Sequence, residues 1–507
     1  MGSDPFHELI GTATRKGSDP IFLSPFIAFF SGAATVLAFA PAGMFPLALL
    51  TFAVLVHLWM GATPRRAFFS GYWFGLGMFG AGVSWIYVSM HEFGGMPVPL
   101  AGLATLLFCA LLALFPAAAG WLQARIPAHP AVRACLLIPC AWVLLEWLRS
   151  WILTGFPWLS AGYASVGWPP QGYAPLTGVF GLSFLTLSLS GMLWLALRGF
   201  RRPLFIVLFV LVLAAGEALR HLEWTERAGE PVSAALLQGN IPQDLKFRPE
   251  RYERTLETYA RLAEGSPAKL IVLPETAIPR FHDLVEPEYL ARLDAAARRN
   301  GGDLLLGIPY RSSDGYYNSA LTLGASPRQA YHKIHLVAFG EFAPPGFGWV
   351  LRLVQIPLSD FSRGAPDQKP LSVAGQRVAV NICYEDLFGE AMARWVPEAT
   401  LLVNMSNVAW FGDSLAPAQH LQIAQLRAIE TARMHLAATN TGITAAIDRD
   451  GRVLRRLPQF VEGRLEVEAQ GYTGYTPYSV YKDWPIVVFS VLVLAFALFI
   501  ARRALSR

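Results

Sequence analysis

Cys383 directly follows the apolar run Val378–Ile382 and precedes Tyr384-Glu385-Asp386, a setting that suits a nucleophile. The other three cysteines, Cys109, Cys135 and Cys140, lie in or beside long apolar stretches, where a free thiol behaves as a small hydrophobe. Cys383 has no disulfide partner in the polar part of the chain, so it is either buried filler or a working thiol. Layered α/β sheets present side chains to ligands at the ends of their strands. A thiol with an ordinary pKa of about 8.5 needs a base or a cation to raise its thiolate fraction. Glu275 stands just past another apolar strand, in Leu-Ile-Val-Leu-Pro-Glu-Thr, and Lys333 stands in Tyr-His-Lys-Ile-His-Leu-Val-Ala-Phe-Gly-Glu-Phe. Taken singly, such a Glu is more often a cap and such a Lys a solvated charge. His332 and His335 have no third ligand nearby, so no metal is expected.

These residues occupy one part of a chain with two compositions. The 507 residues are 54% hydrophobic and 15% charged, where soluble domains average about 25% charged. All but nine of the 36 acidic residues fall between Asp244 and Asp483. Outside that stretch the chain is rich in Leu, Phe, Ala and Trp. A hydrocarbon core about 30 Å thick needs roughly 20 apolar helical residues. Eight stretches approach this length: 21–40, 46–62, 67–90, 97–122, 134–151, 172–197, 203–219 and 484–501. The expected division is a membrane domain of seven spans over 21–222, a soluble domain over 231–472 and an eighth span over 484–501. Gly-Ser-Asp-Pro occurs at both 2–5 and 17–20, so 1–20 is taken as a tag or linker.

Arginines mark alternate span ends: Arg65 and Arg66, Arg125 and Arg133, Arg198, Arg201 and Arg202, then Arg502, Arg503 and Arg507. The positive-inside rule then puts both termini in the cytoplasm and the soluble domain outside the cytoplasmic membrane. With a net charge of only +5, held in these short clusters, nucleic acid is not an expected partner. Glu146 and Arg149, three apart on one span, are spaced to pair with each other. The outer loop 154–171 carries Phe156, Trp158, Tyr163 and Trp168, which suit the headgroup level.

The soluble part alternates short apolar strands with helical patterns. Strands are expected at 232–237, 270–273, 304–308, 378–382, 400–403 and 436–439, and helices at 251–263 and 288–299. Buried strands alternating with helices imply a layered α/β fold.

Together, the three contexts Leu-Pro-Glu-Thr-Ala, Tyr-His-Lys-Ile-His-Leu-Val-Ala-Phe-Gly-Glu-Phe and Asn-Ile-Cys-Tyr-Glu-Asp resemble the nitrilase, or carbon–nitrogen hydrolase, superfamily. Glu275, Lys333 and Cys383 match its catalytic positions, and the resemblance implies an α-β-β-α sandwich. Seven spans before such a domain and one after it are similar to the apolipoprotein N-acyltransferases of bacterial inner membranes. Gln238-Gly239-Asn240-Ile241-Pro242-Gln243, Tyr317-Asn318-Ser319 and Phe339-Gly340-Glu341-Phe342 also resemble that family. Phe247 departs from it, keeping a ring where Trp is expected but lacking the indole donor.

The resemblance implies transfer of an acyl chain from a phospholipid to the amino terminus of a diacylglyceryl-cysteine apolipoprotein, through a thioester on Cys383 and without a cofactor. Glu275 would be the base. Lys333 and the Tyr384 N–H would face the oxyanion, with Glu341, Glu385 and Asn318 in support. The apolar segment 341–364, with Phe347, Trp349, Leu351 and Phe361, would form a lipid-facing flap, or else pack as core. A membrane-tethered amidase and a non-enzymatic receptor are the competing expectations.

Overall fold

The computed structural model describes residues 23–343 and 360–505. The tag or linker at 1–20 lies outside the described residues. So do Phe347, Trp349 and Leu351 of the expected flap, while Phe361 is described and buried.

Every expected span coincides with a helix: Leu23–Thr35, Phe45–Trp59, Pro64–Gly82, Val98–Ala124, Ile138–Arg149, Ala174–Leu197, Arg202–Leu219 and Trp484–Leu505. Eight full crossings are not confirmed, however. Among the described residues five helices are long and apolar enough to cross a membrane, and a sixth if a bent pair is counted as one. Phe45–Trp59 has 15 residues. At about 1.5 Å of rise each, it reaches only about 23 Å of a core about 30 Å thick.

The expected straight span 67–90 is also interrupted. It ends at Gly82, and Ile86–Phe93 continues at 58° to it. The carbonyl of Gly82, which would close the next helical turn, instead accepts from Trp85 Nε1 at 3.0 Å and Gln419 Nε2 at 3.2 Å. Removing a carbonyl from the helical ladder in this way bends a helix. The helices Leu23–Thr35 and Pro64–Gly82 approach closely at Gly32 and Gly77, where a Cβ would run into the carbonyls of Phe74 and Phe29.

The soluble part holds two six-stranded sheets. In the first, Val232–Gln238, Leu270–Val272 and Asp303–Ser312 run parallel, flanked by antiparallel Gly463–Ala469 on one side and Gly315–Gly324 then Ala330–His332 on the other. In the second, Gln376–Ile382, Leu401–Ser406 and His435–Thr439 run parallel between antiparallel edges. Strand alternation builds the layers. Ala234 and Leu236 face the other sheet, where they meet the core of Val378, Val380 and Leu402. Their neighbours Ala235 and Leu237 face the helices Pro249–Glu264 and Pro287–Arg299. Helix Ala416–Thr431 covers the second sheet through Leu421, Ala424 and Ala428. The result is the expected α-β-β-α order.

The loop 154–171 does not behave as an aromatic rim. Trp158 and Tyr163 are buried, because the two-sheet sandwich rests on them. Gln419 Oε1 accepts from Trp158 Nε1 at 2.7 Å and Trp85 Nε1 at 3.3 Å, and Trp158 stacks on His420. Trp168 remains at the surface. Gln419→Leu would strand the buried Trp158 indole N–H, while the Trp85 N–H and the Gly82 carbonyl keep each other as partners. One unsatisfied buried group costs about 1–3 kcal/mol, so a net loss of about 2 kcal/mol is expected. A thermal unfolding midpoint equal to that of the parent would show that this junction does not hold the two parts together.

Candidate active site

Cys383 sits where the strand Gln376–Ile382 ends, with φ at +55°, a left-handed value that a non-glycine residue adopts only when its surroundings enforce it. The enforcement is visible. Its carbonyl accepts from Asn404 Nδ2 at 3.1 Å, and His420 Nε2 lies 3.2 Å from the same oxygen. Glu385, two residues on, is buried and accepts from the N–H groups of Ile382, Ile334 and His335 and from the Tyr331 hydroxyl, at 2.7–3.0 Å. One carboxylate thus clamps the turn of Cys383 to the backbone beside Lys333. Tyr384 points the other way, and its hydroxyl donates to the Gly155 carbonyl at 2.6 Å, tying the turn to the loop between two apolar helices.

Glu275, Lys333, Glu341 and Asn318 form one hydrogen-bonded group. Glu275 comes from just past Leu270–Val272, and Asn318 from the adjacent part of the first sheet. Lys333 follows the edge strand Ala330–His332. Lys333 Nζ lies 3.1 Å from Glu275 Oε1 and 2.9 Å from Glu341 Oε1. Asn318 Nδ2 donates to the same two oxygens at 2.7 and 2.8 Å. Glu275 Oε2 accepts from the Asn407 N–H at 2.8 Å, and Glu341 Oε2 from the Val337 N–H at 2.9 Å. Lys333 is 1% exposed, so water contributes almost nothing to its charge balance.

The electrostatics suit a thiol beside a waiting base. Burial opposes the charge on Glu275, but Lys333, Asn318 and Lys246 outweigh it and hold its carboxyl below the ordinary range. Burial likewise opposes the charge on Lys333, yet Glu275 and Glu341 hold its pKa above that of a free lysine. Burial and then Glu275 push the Cys383 thiol up, with Lys333 and the Asn407 N–H working against them. The resting site therefore holds a carboxylate, an ammonium and a protonated thiol. Burial raises Glu385 to about 7, against the pull of Lys333 and its backbone donors.

Sequence reasoning missed two participants. Asn407 reaches both Glu275 and, through its N–H, the thiol. Lys246 is 2% exposed and donates to the Glu275 carbonyl at 3.3 Å. Nothing in the local pattern distinguishes Lys246 from a solvated lysine, although Phe247 beside it drew attention. Phe247 is half-buried.

One pairing expectation is corrected. Glu146 and Arg149 form no ion pair with each other. Glu146 Oε1 accepts from Trp142 Nε1 and the Ala161 N–H, at 2.7 and 2.8 Å. Arg149 instead donates to the carbonyls of Phe156 and Trp158, at 2.5 and 2.6 Å, shaping the loop under the site. His332 and His335 diverge, one meeting Ser319 Oγ at 2.7 Å and the other stacking on Phe388. Phe361 donates its N–H to the Glu341 carbonyl at 2.9 Å, which anchors the described end of the expected flap.

Residues 31–192 match the apolipoprotein N-acyltransferase N-terminal domain, and residues 233–478 match the carbon-nitrogen hydrolase domain. The chain is 49% identical to an apolipoprotein N-acyltransferase of Nitrosomonas europaea, over 89% of this chain and 92% of that one. It is 45% identical to one from Methylococcus capsulatus, over 91% and 93% of the two chains. To one from Chromobacterium violaceum it is 44% identical, over 98% and 99%.

Proposed function

Since this chain belongs to the apolipoprotein N-acyltransferase family, we propose that Cys383, Glu275 and Lys333 carry its reaction by a ping-pong route through a thioester. The activity itself is lipoprotein N-acylation. The observation that carries the residue assignment is the buried Glu275–Lys333 contact of 3.1 Å, next to a thiol held at a strained strand end. The whole-length relatives favour transfer over amide hydrolysis.

Glu275 takes the proton of Cys383, and the thiolate attacks the ester carbonyl of a phospholipid. Lys333 has one N–H beyond those given to its two carboxylates, and that N–H meets the oxyanion. Collapse breaks the ester C–O bond. The departing lysophospholipid oxygen takes the proton from Glu275, and the acyl thioester remains. The amino terminus of a diacylglyceryl-cysteine apolipoprotein then attacks the thioester and passes a proton to Glu275. Cleavage of the C–S bond releases the amide, and the sulfur recovers the proton. No step calls for a metal or cofactor.

Both substrates are membrane lipids or lipid-bearing chains, and the apolar helices below the site supply the surface at which they meet it. We place the catalytic sandwich in the periplasm with both termini in the cytoplasm, on the arginine distribution, and count all eight helices as the membrane domain. Intact-mass measurement after incubation with phospholipid should show a gain of one acyl chain that neutral hydroxylamine removes. Addition of a diacylglyceryl-cysteine peptide should discharge it. A chain that transfers acyl groups without ever gaining mass would defeat the covalent route. For topology, an impermeant amine reagent should label Lys369 once the outer membrane is opened; labelling only after the inner membrane is breached would invert the orientation.

A further inference from the structure

The active site contains a second buried lysine that the reaction outlined above does not use. Lys246 closes the short helix Gln243–Lys246, which follows the strand Val232–Gln238. That strand pairs with Leu270–Val272, the strand that leads into Glu275. The loop is fastened to the site twice. Gln243 Oε1 accepts from Asn407 Nδ2 at 2.8 Å, and Asn407 is the residue whose N–H holds Glu275 Oε2. Lys246 Nζ donates to the Glu275 carbonyl at 3.3 Å, the one hydrogen bond its side chain makes among the described residues. Two N–H groups of a 2% exposed ammonium are therefore left without an acceptor among the described residues, beside the base and the thiol.

Charge balance gives this cation a task. Glu275 and Glu341 bring two negative charges, and Lys333 brings one positive charge. Without another cation the group is net negative, and a thiolate at Cys383 would form against that charge. We infer that Lys246 is a positioning residue for acyl loading: its ammonium balances the second carboxylate and stabilises the negative charge that moves from Glu275 to sulfur and on to the ester oxygen. The inference rests on the thioester reading at Cys383. Its supporting electrostatics are consistent: burial brings Lys246 down to about 8, with Glu275 and then Cys383 opposing that fall. Lys333 lies beyond, on the carboxyl side of Glu275.

The test is single-turnover acyl loading of the full-length protein in detergent micelles containing phosphatidylethanolamine, followed by intact mass. Lys246→Met, matched in length but neutral, should load about 100-fold more slowly, the scale of losing one preorganised charge donor. The lipid concentration for half-maximal rate should not change. Lys246→Arg keeps the charge and should stay within about tenfold of the parent. A packing role predicts the reverse order, with Met tolerated and the bulkier Arg harmful, and that order overturns the inference. The parent's loading rate should also fall as pH rises through about 8. Lys246→Arg should lack that fall, since guanidinium keeps its proton there. If neither variant folds, the parent profile decides, and a rate that stays flat from about pH 7 to about 9.5 overturns the inference. A parent that forms no thioester at all instead brings down the Cys383 reading, and this inference with it.

Discussion

Cys383→Ala protein should gain no acyl mass from phospholipid and should transfer none to a lipoprotein peptide, a loss of about 10⁴-fold or more, as for other covalent nucleophiles. The expectation is strong because no other thiol can substitute. Cys109 and Cys140 are buried in the helical bundle, and Cys135 is half-buried there. The fold should survive, since Cys383 is held by its carbonyl and by the Glu385 clamp, which an alanine retains. Residual transfer within tenfold of the parent would show that the thiol is not the acyl carrier.

Lys333→Met should be nearly as damaging, and its damage should depend on pH in a particular direction. Removing the ammonium leaves the buried Glu275 and the half-buried Glu341 carboxylates sharing one amide, Asn318 Nδ2, at 2.7 and 2.8 Å, with one backbone N–H on the far oxygen of each and no cation between them. Breaking a buried ion pair from one side costs about 3–5 kcal/mol at neutral pH. The site relieves this by sharing a proton between the two carboxyls, and a protonated Glu275 cannot serve as base. In the parent, the depressed Glu275 carboxyl contributes stability present above its unfolded pKa and lost as pH falls through its folded value. In the variant, a carboxyl raised above its unfolded pKa of about 4.3 contributes stability present below that value and lost as pH rises. The gap between parent and variant should therefore narrow as pH drops from about 7 to about 4.5. Denaturation midpoints across that range measure it. A gap that widens toward acid would mean that Lys333 does not hold these two carboxylates.

Much of this architecture is written in local patterns. The continuous apolar run Ala234-Ala235-Leu236-Leu237 marks a strand covered on both faces, and both faces are indeed buried. The ten-residue strand Gly315–Gly324 escaped notice because it opens with Gly-Tyr-Tyr-Asn-Ser, which does not alternate. Asn318 sits there because that polar opening lines the site rather than the core. In the membrane part, apolar length located every helix but could not settle how many cross. Whether Phe45–Trp59 and Leu23–Ala38 span the bilayer depends on their neighbours and tilt, which hydropathy does not encode.

The sequence by itself determined the chemistry available and the layers that carry it. A lone thiol outside the apolar helices, a Glu just past a strand and two compositions in one chain pointed to the layers, and the motif contexts of Glu275, Lys333 and Cys383, through their resemblance to a known family, pointed to family and reaction class. The tertiary structure alone decided who touches whom. It turned Glu385 from a neighbour of Cys383 into the clamp on both Cys383 and Lys333. It separated Glu146 from Arg149, despite their helical spacing, because each met a better partner in the loop 156–161. It brought Lys246 to Glu275 across 29 positions of chain. Such contacts join residues distant in sequence, and the charge balance they create depends on burial. Periodicity reports only which face of an element is covered, and carries no record of what covers it.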